Sequence, residues 1–249
     1  MIYVMGDLHG CYQTYLYALS QIQFSEDDTL YVLGDMIDRG PDGIKILQDM
    51  SMRWNVIPLL GNHEYMALMV LERLCVEVRE DNYDSHLTTN DIKAYQLWME
   101  NGGQPTMDAF MKLSNEDKFA IIDYLNDFTL FEEVVYQQEH YVLVHAGLVP
   151  YDASKALDEY QPHEYIFTSN EENDFPFTMI CGHTPTLAYG LKYQNKIYQN
   201  GNRIDIDCGL VFGKSLAIYC IDNKEVIYIK NQEGVRQFGV KYLVGENPP

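Results

Sequence analysis

The chain opens on an alternation of short apolar runs and longer amphipathic stretches. Ile2 to Met5, Leu30 to Leu33 and Val56 to Leu60 are apolar runs of strand length. Between them, residues 11–23 and 42–52 carry apolar positions at helical spacing. Strand–helix–strand alternation implies parallel pairing, so the pattern predicts an α/β core. Residues 64–126 keep the helical period through Met66, Leu68, Met69, Leu71 and Leu74, with capping signals such as Ser114-Asn115-Glu116. Leu130 to Val135 followed by Tyr141 to Val144 predicts a hairpin. Residues 151–176 are acidic and rich in turn formers, an irregular connection with one short helix. From Phe177 the pattern is strand-like over 177–181, 187–193, 204–208, 215–221 and 225–230, with Asp222-Asn223-Lys224 as a hairpin turn. No repeat or low-complexity linker divides the 249 residues, so one domain over 1–249 is expected, with a helical insertion at about 64–126.

Composition narrows the function classes. Apolar residues make up 47% and charged residues 22%, which excludes an intrinsically disordered chain. The net charge is −20, from 37 acidic and 17 basic residues. No basic stripe is available for nucleic acid or anionic lipid. Taken alone, that charge also argues against any phosphate-bearing ligand. No apolar run is long enough for a membrane span, and the first strand-like run begins at Ile2 with no leader pattern before it, so a cytoplasmic protein is expected. The five cysteines show no CxxC spacing and suit reduced thiols, with Cys181, Cys208 and Cys220 in apolar, buried surroundings.

The candidate chemistry gathers where apolar runs end. Val4-Met5-Gly6 leads into Asp7-Leu8-His9-Gly10, and Val32-Leu33-Gly34 into Asp35-Met36-Ile37-Asp38-Arg39-Gly40. Leu59-Leu60-Gly61 leads into Asn62-His63-Glu64, Leu143-Val144 into His145-Ala146-Gly147, and Ile180-Cys181-Gly182 into His183-Thr184-Pro185. Open α/β sheets collect ligands at the carboxyl ends of their strands. The inventory is Asp7, His9, Asp35, Asn62, His145 and His183. Carboxylate, imidazole and carboxamide without thiolate suit Mn²⁺, Fe or Zn²⁺. Six ligands exceed what one metal with an open position needs. They suit two ions sharing a bridging carboxylate, about 3.5–4 Å apart in such sites.

The ordered set GDLHG, GDMIDRG, GNHE, HAG and GHT resembles the calcineurin-like metallophosphoesterases, in particular the small bacterial and phage members of the serine/threonine phosphoprotein phosphatase branch. It is also similar to the symmetrical diadenosine tetraphosphatases. Asp205-Ile206-Asp207-Cys208-Gly209 resembles the strand after the last metal ligand in that family. The resemblance implies a four-layer α/β/β/α sandwich with two mixed sheets. It implies two divalent ions, Mn²⁺ first, with Asp7, His9 and His183 on one, Asn62 and His145 on the other, and Asp35 bridging. A metal-bridging hydroxide would attack phosphorus and His63 would protonate the leaving group, oriented by Asp38. Arg39, with Asn62 and His63, would hold substrate, the guanidinium taking two phosphoryl oxygens through its planar fork.

The chain departs from that pattern in one respect. Phosphoprotein phosphatases carry a second phosphate-binding arginine between the last two blocks. Residues 148–182 hold no arginine, and their only basic residue is Lys155. Arg203 is the nearest later arginine. Three readings follow: a phosphatase for phosphorylated proteins, peptides or small phosphoesters, a dinucleoside polyphosphate hydrolase on the same site, or a non-catalytic metal- or phosphate-binding module. Outside the blocks, the bland readings hold. Trp98 to Thr106 resembles a helix-end turn of the small bacterial members, with Gly102-Gly103 as its C-cap, and lining of a substrate pocket above the metals is the lesser alternative. Met66, Met69 and Met99 are helix core, and His86, His140 and His163 are ordinary surface or loop histidines. The acidic runs Glu26-Asp27-Asp28 and Glu171-Glu172 are solvated faces. Two divalent cations reverse the local sign, so the constellation overrides the inference drawn from net charge.

Overall fold

A computed structural model describes residues 1–75, 87–169 and 174–233. His86 and Glu171-Glu172 lie outside these residues. The first half runs β1 (Ile2–Met5), α1 (Tyr12–Gln21), β2 (Thr29–Val32), α2 (Gly43–Ser51), β3 (Val56–Pro58) and α3 (Asn62–Leu74). Three more helices follow: α4 (Thr89–Glu100), α5 (Gln104–Phe110) and α6 (Asn115–Asn126). The second half holds β4 (Phe131–Tyr136), β5 (Glu139–Val144), α7 (Pro162–Ile166), β6 (Thr178–Cys181), β7 (Tyr198–Asn200), β8 (Arg203–Asp205), β9 (Ser215–Cys220) and β10 (Val226–Lys230).

The strands form two mixed sheets, ordered β10-β9-β1-β2-β3 and β4-β5-β6-β8-β7. Helical crossovers make β1, β2 and β3 parallel, and β9 joins β1 antiparallel. The strand period of two assigns each residue to a layer. On β1, Tyr3 and Met5 enter a core shared with α1, α2, α3 and α6, whereas Val4 enters the core between the sheets. On β5 and β6, Leu143 and Ile180 face that middle core, while Val142, Val144, Met179 and Cys181 pack against Tyr165 and Ile166 of α7. Three apolar clusters thus separate four layers, helix, sheet, sheet and helix. Among the described residues, no helix is long and apolar enough to cross a membrane.

Several expectations change. No strand forms over 187–193. Two short 3-10 turns, Thr186–Tyr189 and Leu191–Tyr193, replace it, because Gly190 at φ 124 breaks the extended run. The edge strand comes later, at β7, where the Tyr198 ring stacks on Tyr189 at 4.1 Å. β3 stops at Pro58, which lacks an N–H, and Leu60 donates instead to Thr129 O. β8 ends at Asp205, short of the expected Cys208, as the chain turns into the Asp207–Gly209 loop. Met69 is 50% exposed and is not core, since it falls off the α3 stripe that buries Met66, Ala67, Val70 and Leu71. Met66 is buried and Met99 packs against the core.

Candidate functional site

The loops after β1, β2, β3, β5 and β6 meet at the carboxyl edge of both sheets. Backbone bonds tie them together: Asp7 N–H donates to Gly34 O, His9 N–H to Asp35 O, and Gly182 N–H to His145 O. Asp7, His9, Asp35, Asp38, Arg39 and His183 all sit at positive φ, between 41° and 69°. That region is uncommon for residues with a side chain, and it persists only where surroundings over-determine it.

Two groups of lone pairs share Asp35. In one, His145 Nε2 lies 2.9 Å from Asn62 Oδ1, 3.2 Å from His183 Nδ1 and 3.4 Å from Asp35 Oδ1. His183 Nδ1 is 3.0 Å from Asn62 Oδ1. In the other, His9 Nε2 lies 3.5 Å from Asp35 Oδ2, near His63. Asp7 reaches the site from β1, with Oδ1 accepting the His183 N–H at 2.9 Å. The His183 ring therefore sits with His145 and Asn62. The sequence division had placed it with Asp7 and His9. At φ 69 its backbone turns the amide toward Asp7 and carries the ring across to Asn62.

These donors fit bound cations. His9 Nδ1–H donates to Ile37 O at 3.0 Å and His145 Nδ1–H to Leu33 O at 2.7 Å, which makes each Nε2 an acceptor, that of His9 facing Arg39 and that of His145 facing Asn62. Burial lowers the proton affinity of His9, His145 and His183, the last to about 3, so the rings are neutral. His145 Nε2 thus faces the Asn62 carbonyl oxygen, acceptor against acceptor, which a cation between them relieves. Asp7 Oδ2 is buried and has no hydrogen-bond partner among the described residues. Burial, reinforced by Asp207 and Asp35, pushes the Asp7 carboxyl well up, the mark of a site short of positive charge.

Beside the metal-ligand candidates stands a hydrogen-bonded chain of Asp38, His63 and Arg39. His63, fully buried, donates from Nδ1 to Asp38 Oδ2 at 2.7 Å. Its Nε2 accepts from Arg39 Nη2 at 3.0 Å, and Arg39 Nη1 donates to His9 Nε2 at 2.6 Å. The Arg39 guanidinium also lies 5.6 Å from the Phe212 ring centroid, a cation–π contact at the site's edge.

Two features escaped sequence reasoning. Glu64 Oε2 accepts from Asp35 N and Gly61 N, and Oε1 from Met36 N and Ile37 N, so one carboxylate pins the loop that carries Asp35. Its place at the third position of α3 was the available signal. Trp98 and Thr106 reach Asp38 from the helical region, where the sequence favours a helix-ending turn and points to no partner for either side chain. Arg203 does not reach the site. Its Nη2 donates to Asp205 Oδ2 at 3.0 Å and to Tyr189 OH at 2.6 Å, inside the second sheet. His140 pairs with Glu133, and His163 is exposed on α7.

Comparison with known proteins identifies the family. The profile of the calcineurin-like phosphoesterases matches residues 1–213. The serine/threonine-protein phosphatase 2 of Salmonella typhimurium is 29% identical, covering 79% of this chain and 85% of that protein. A symmetrical bis(5'-nucleosyl)-tetraphosphatase of Wigglesworthia glossinidia brevipalpis is 31% identical over 48% of this chain. The match spans less than half of that tetraphosphatase, 43%. The crystal structure of a candidate diadenosine tetraphosphatase superposes with a TM-score of 0.63 at 18% identity, covering 94% of each chain, a likeness of fold.

Proposed function

The chain belongs to the calcineurin-like phosphoesterase family, and from that premise we propose that it is a metal-dependent phosphomonoesterase of the serine/threonine protein phosphatase type. The observation that carries this reading is the buried His63–Asp38 pair at 2.7 Å beside Arg39. An alkoxide leaving group, as in phosphoserine or phosphothreonine, needs a proton as it departs, whereas a nucleotide leaving from a polyphosphate is already a stable anion. A carefully held acid is therefore more useful for a phosphomonoester. The Salmonella phosphatase matches this chain over most of both lengths, which favours the same reading.

In this proposal Asn62, His145 and His183 would hold one cation, Asp7 and His9 the other, and Asp35 would contribute to both. The donor set suits Mn²⁺, with Fe or Zn²⁺ as alternatives. Divalent ions held there would supply Lewis acidity and activate water as the nucleophile at neutral pH. Arg39 holds phosphoryl oxygens through its fork, aided by Asn62. With Arg39 turned from His63 to the phosphoryl oxygens, His63 would carry a proton on Nε2 and give it to the leaving oxygen, while Asp38 keeps the ring aimed and stabilises the imidazolium.

A second reading, hydrolysis of a symmetrical dinucleoside polyphosphate, has its own support. Arg203 is locked to Asp205 and supplies no second phosphate clamp, and several relatives carry the tetraphosphatase name. Measuring kcat/KM for a phosphoserine peptide and for diadenosine tetraphosphate with Mn²⁺ decides. The proposal expects the peptide to be preferred; a preference for the dinucleotide overturns it. Turnover that is lost in Asp35→Asn and reduced in His63→Asn is also expected, and its absence with every divalent metal would leave the binding-module reading.

A further inference from the structure

The Asp38 carboxylate has more partners than His63. Trp98 Nε1–H donates to Oδ2 at 2.7 Å, and the Thr106 hydroxyl donates to Oδ1 at 2.6 Å. The same hydroxyl oxygen accepts from the Asp38 backbone N–H at 2.9 Å. One residue further on, Arg39 N–H donates to Gly102 O at 2.9 Å. Asp38, Trp98 and Thr106 are all buried, so no water substitutes for a missing donor. Asp38 and Arg39 both hold left-handed backbone, at φ 68 and 65, and the segment across from them fixes that conformation.

The glycine pair explains how this segment comes so close. Gly102, at φ 99, would place a Cβ 2.9 Å from Arg39 Cγ. A Cβ on Gly103 would lie 2.6 Å from the Trp98 indole. Only with both glycines can the end of α4 and the start of α5 lie flat against Asp38-Arg39. The turn is therefore more than a helix terminator.

We propose that Trp98 and Thr106, brought together by the Gly102-Gly103 turn, are positioning residues that fix the Asp38 carboxylate and through it aim His63 at the leaving oxygen. The inference rests on His63 acting as the acid. Without the two donors, the carboxylate keeps one partner and is free to rotate about its Cβ–Cγ bond. His63 then loses its fixed direction while Arg39 still binds phosphate. The defect falls on departure of the leaving group and spares binding.

The test compares kcat on two monoesters with Mn²⁺, an alkyl phosphate with a poor leaving group and an aryl phosphate with a good one. The variants are Thr106→Val, Trp98→Phe, Thr106→Ser and His63→Asn. A buried hydrogen bond to a charged group is worth enough for the alkyl-to-aryl kcat ratio to fall about fivefold or more in Thr106→Val and Trp98→Phe, with KM within about twofold. Thr106→Ser keeps the hydroxyl and restores the ratio. An unchanged ratio in folded Thr106→Val or Trp98→Phe overturns the inference. If His63→Asn lowers the ratio and those two do not, only the positioning role fails. If His63→Asn also leaves the ratio unchanged, the acid assignment fails and the positioning role falls with it.

Discussion

Replacing Glu64 with glutamine tests how the Asp35 loop is held. The carboxylate receives four backbone N–H groups, two on each oxygen, at 2.8–3.2 Å. Glutamine has one acceptor oxygen and one NH₂ group. Whichever way it is placed, one pair of buried N–H groups faces a donor. Two hydrogen bonds to a charged acceptor are lost, each worth about 1.5–3 kcal/mol, offset in part because the neutral side chain is easier to bury. The net expectation is a loss of about 2–4 kcal/mol, which for a chain of this size lowers Tm by about 5–15 °C. The cost should be greatest with metal bound, since cations beside Asp35 relieve the repulsion that opposes a charged Glu64. Burial and the neighbouring Asp35 otherwise push that carboxyl up to about 8. Thermal and urea unfolding of Glu64→Gln, with Mn²⁺ and with chelator, measures both effects. A Tm within about 1 °C of the parent in Mn²⁺ would refute the reasoning, because four such bonds cannot be exchanged at no cost.

Other consequences follow from the same geometry. The lowered His9, His145 and His183 cost stability as pH falls below 6.5, while Glu64, raised from 4.5 to about 8, costs stability as pH rises toward 8. Metal-free protein should therefore lose Tm through Glu64 as pH rises from 6.5 to about 8, where the histidine contribution is already flat, and Mn²⁺ should flatten that limb; equal slopes over pH 6.5–8 with and without metal would contradict this. Arg39→Ala should lower kcat/KM about 10- to 100-fold through KM, leaving metal content unchanged by elemental analysis. Arg203→Met takes the cation from the buried Asp205 carboxyl, which keeps the Tyr189 hydroxyl, and should destabilise by about 1–3 kcal/mol in urea unfolding, yet leave KM within about twofold. A large rise in KM there would make Arg203 a phosphate ligand after all.

The fold was readable where one physical rule governs a run of residues. Period-two alternation on β1, β5 and β6 sorted side chains between layers, and helical crossovers forced β1, β2 and β3 to be parallel. It failed where a single residue decides, as at Gly190 and Pro58. The six metal-ligand candidates stood out in the sequence because each lies within four residues of a strand end. Which lone pairs meet was not, since the left-handed turn at His183 sends its amide and ring in different directions. Trp98 and Thr106 lie 60 and 68 residues from Asp38, and no local pattern connects them. Glu64 resembled an ordinary first-turn acid, although its partners lie mainly on the distant loop after β2.

The central claim is that the loops at the strand ends build a two-cation phosphoesterase site bridged by Asp35. Metal stoichiometry by elemental analysis, on protein stripped and reconstituted with Mn²⁺, tests it most directly. The account predicts two ions per chain in the parent, with fewer ions and no phosphomonoester turnover in Asp35→Asn. Fewer than one ion per chain in the parent, or full occupancy and turnover in Asp35→Asn, would contradict it.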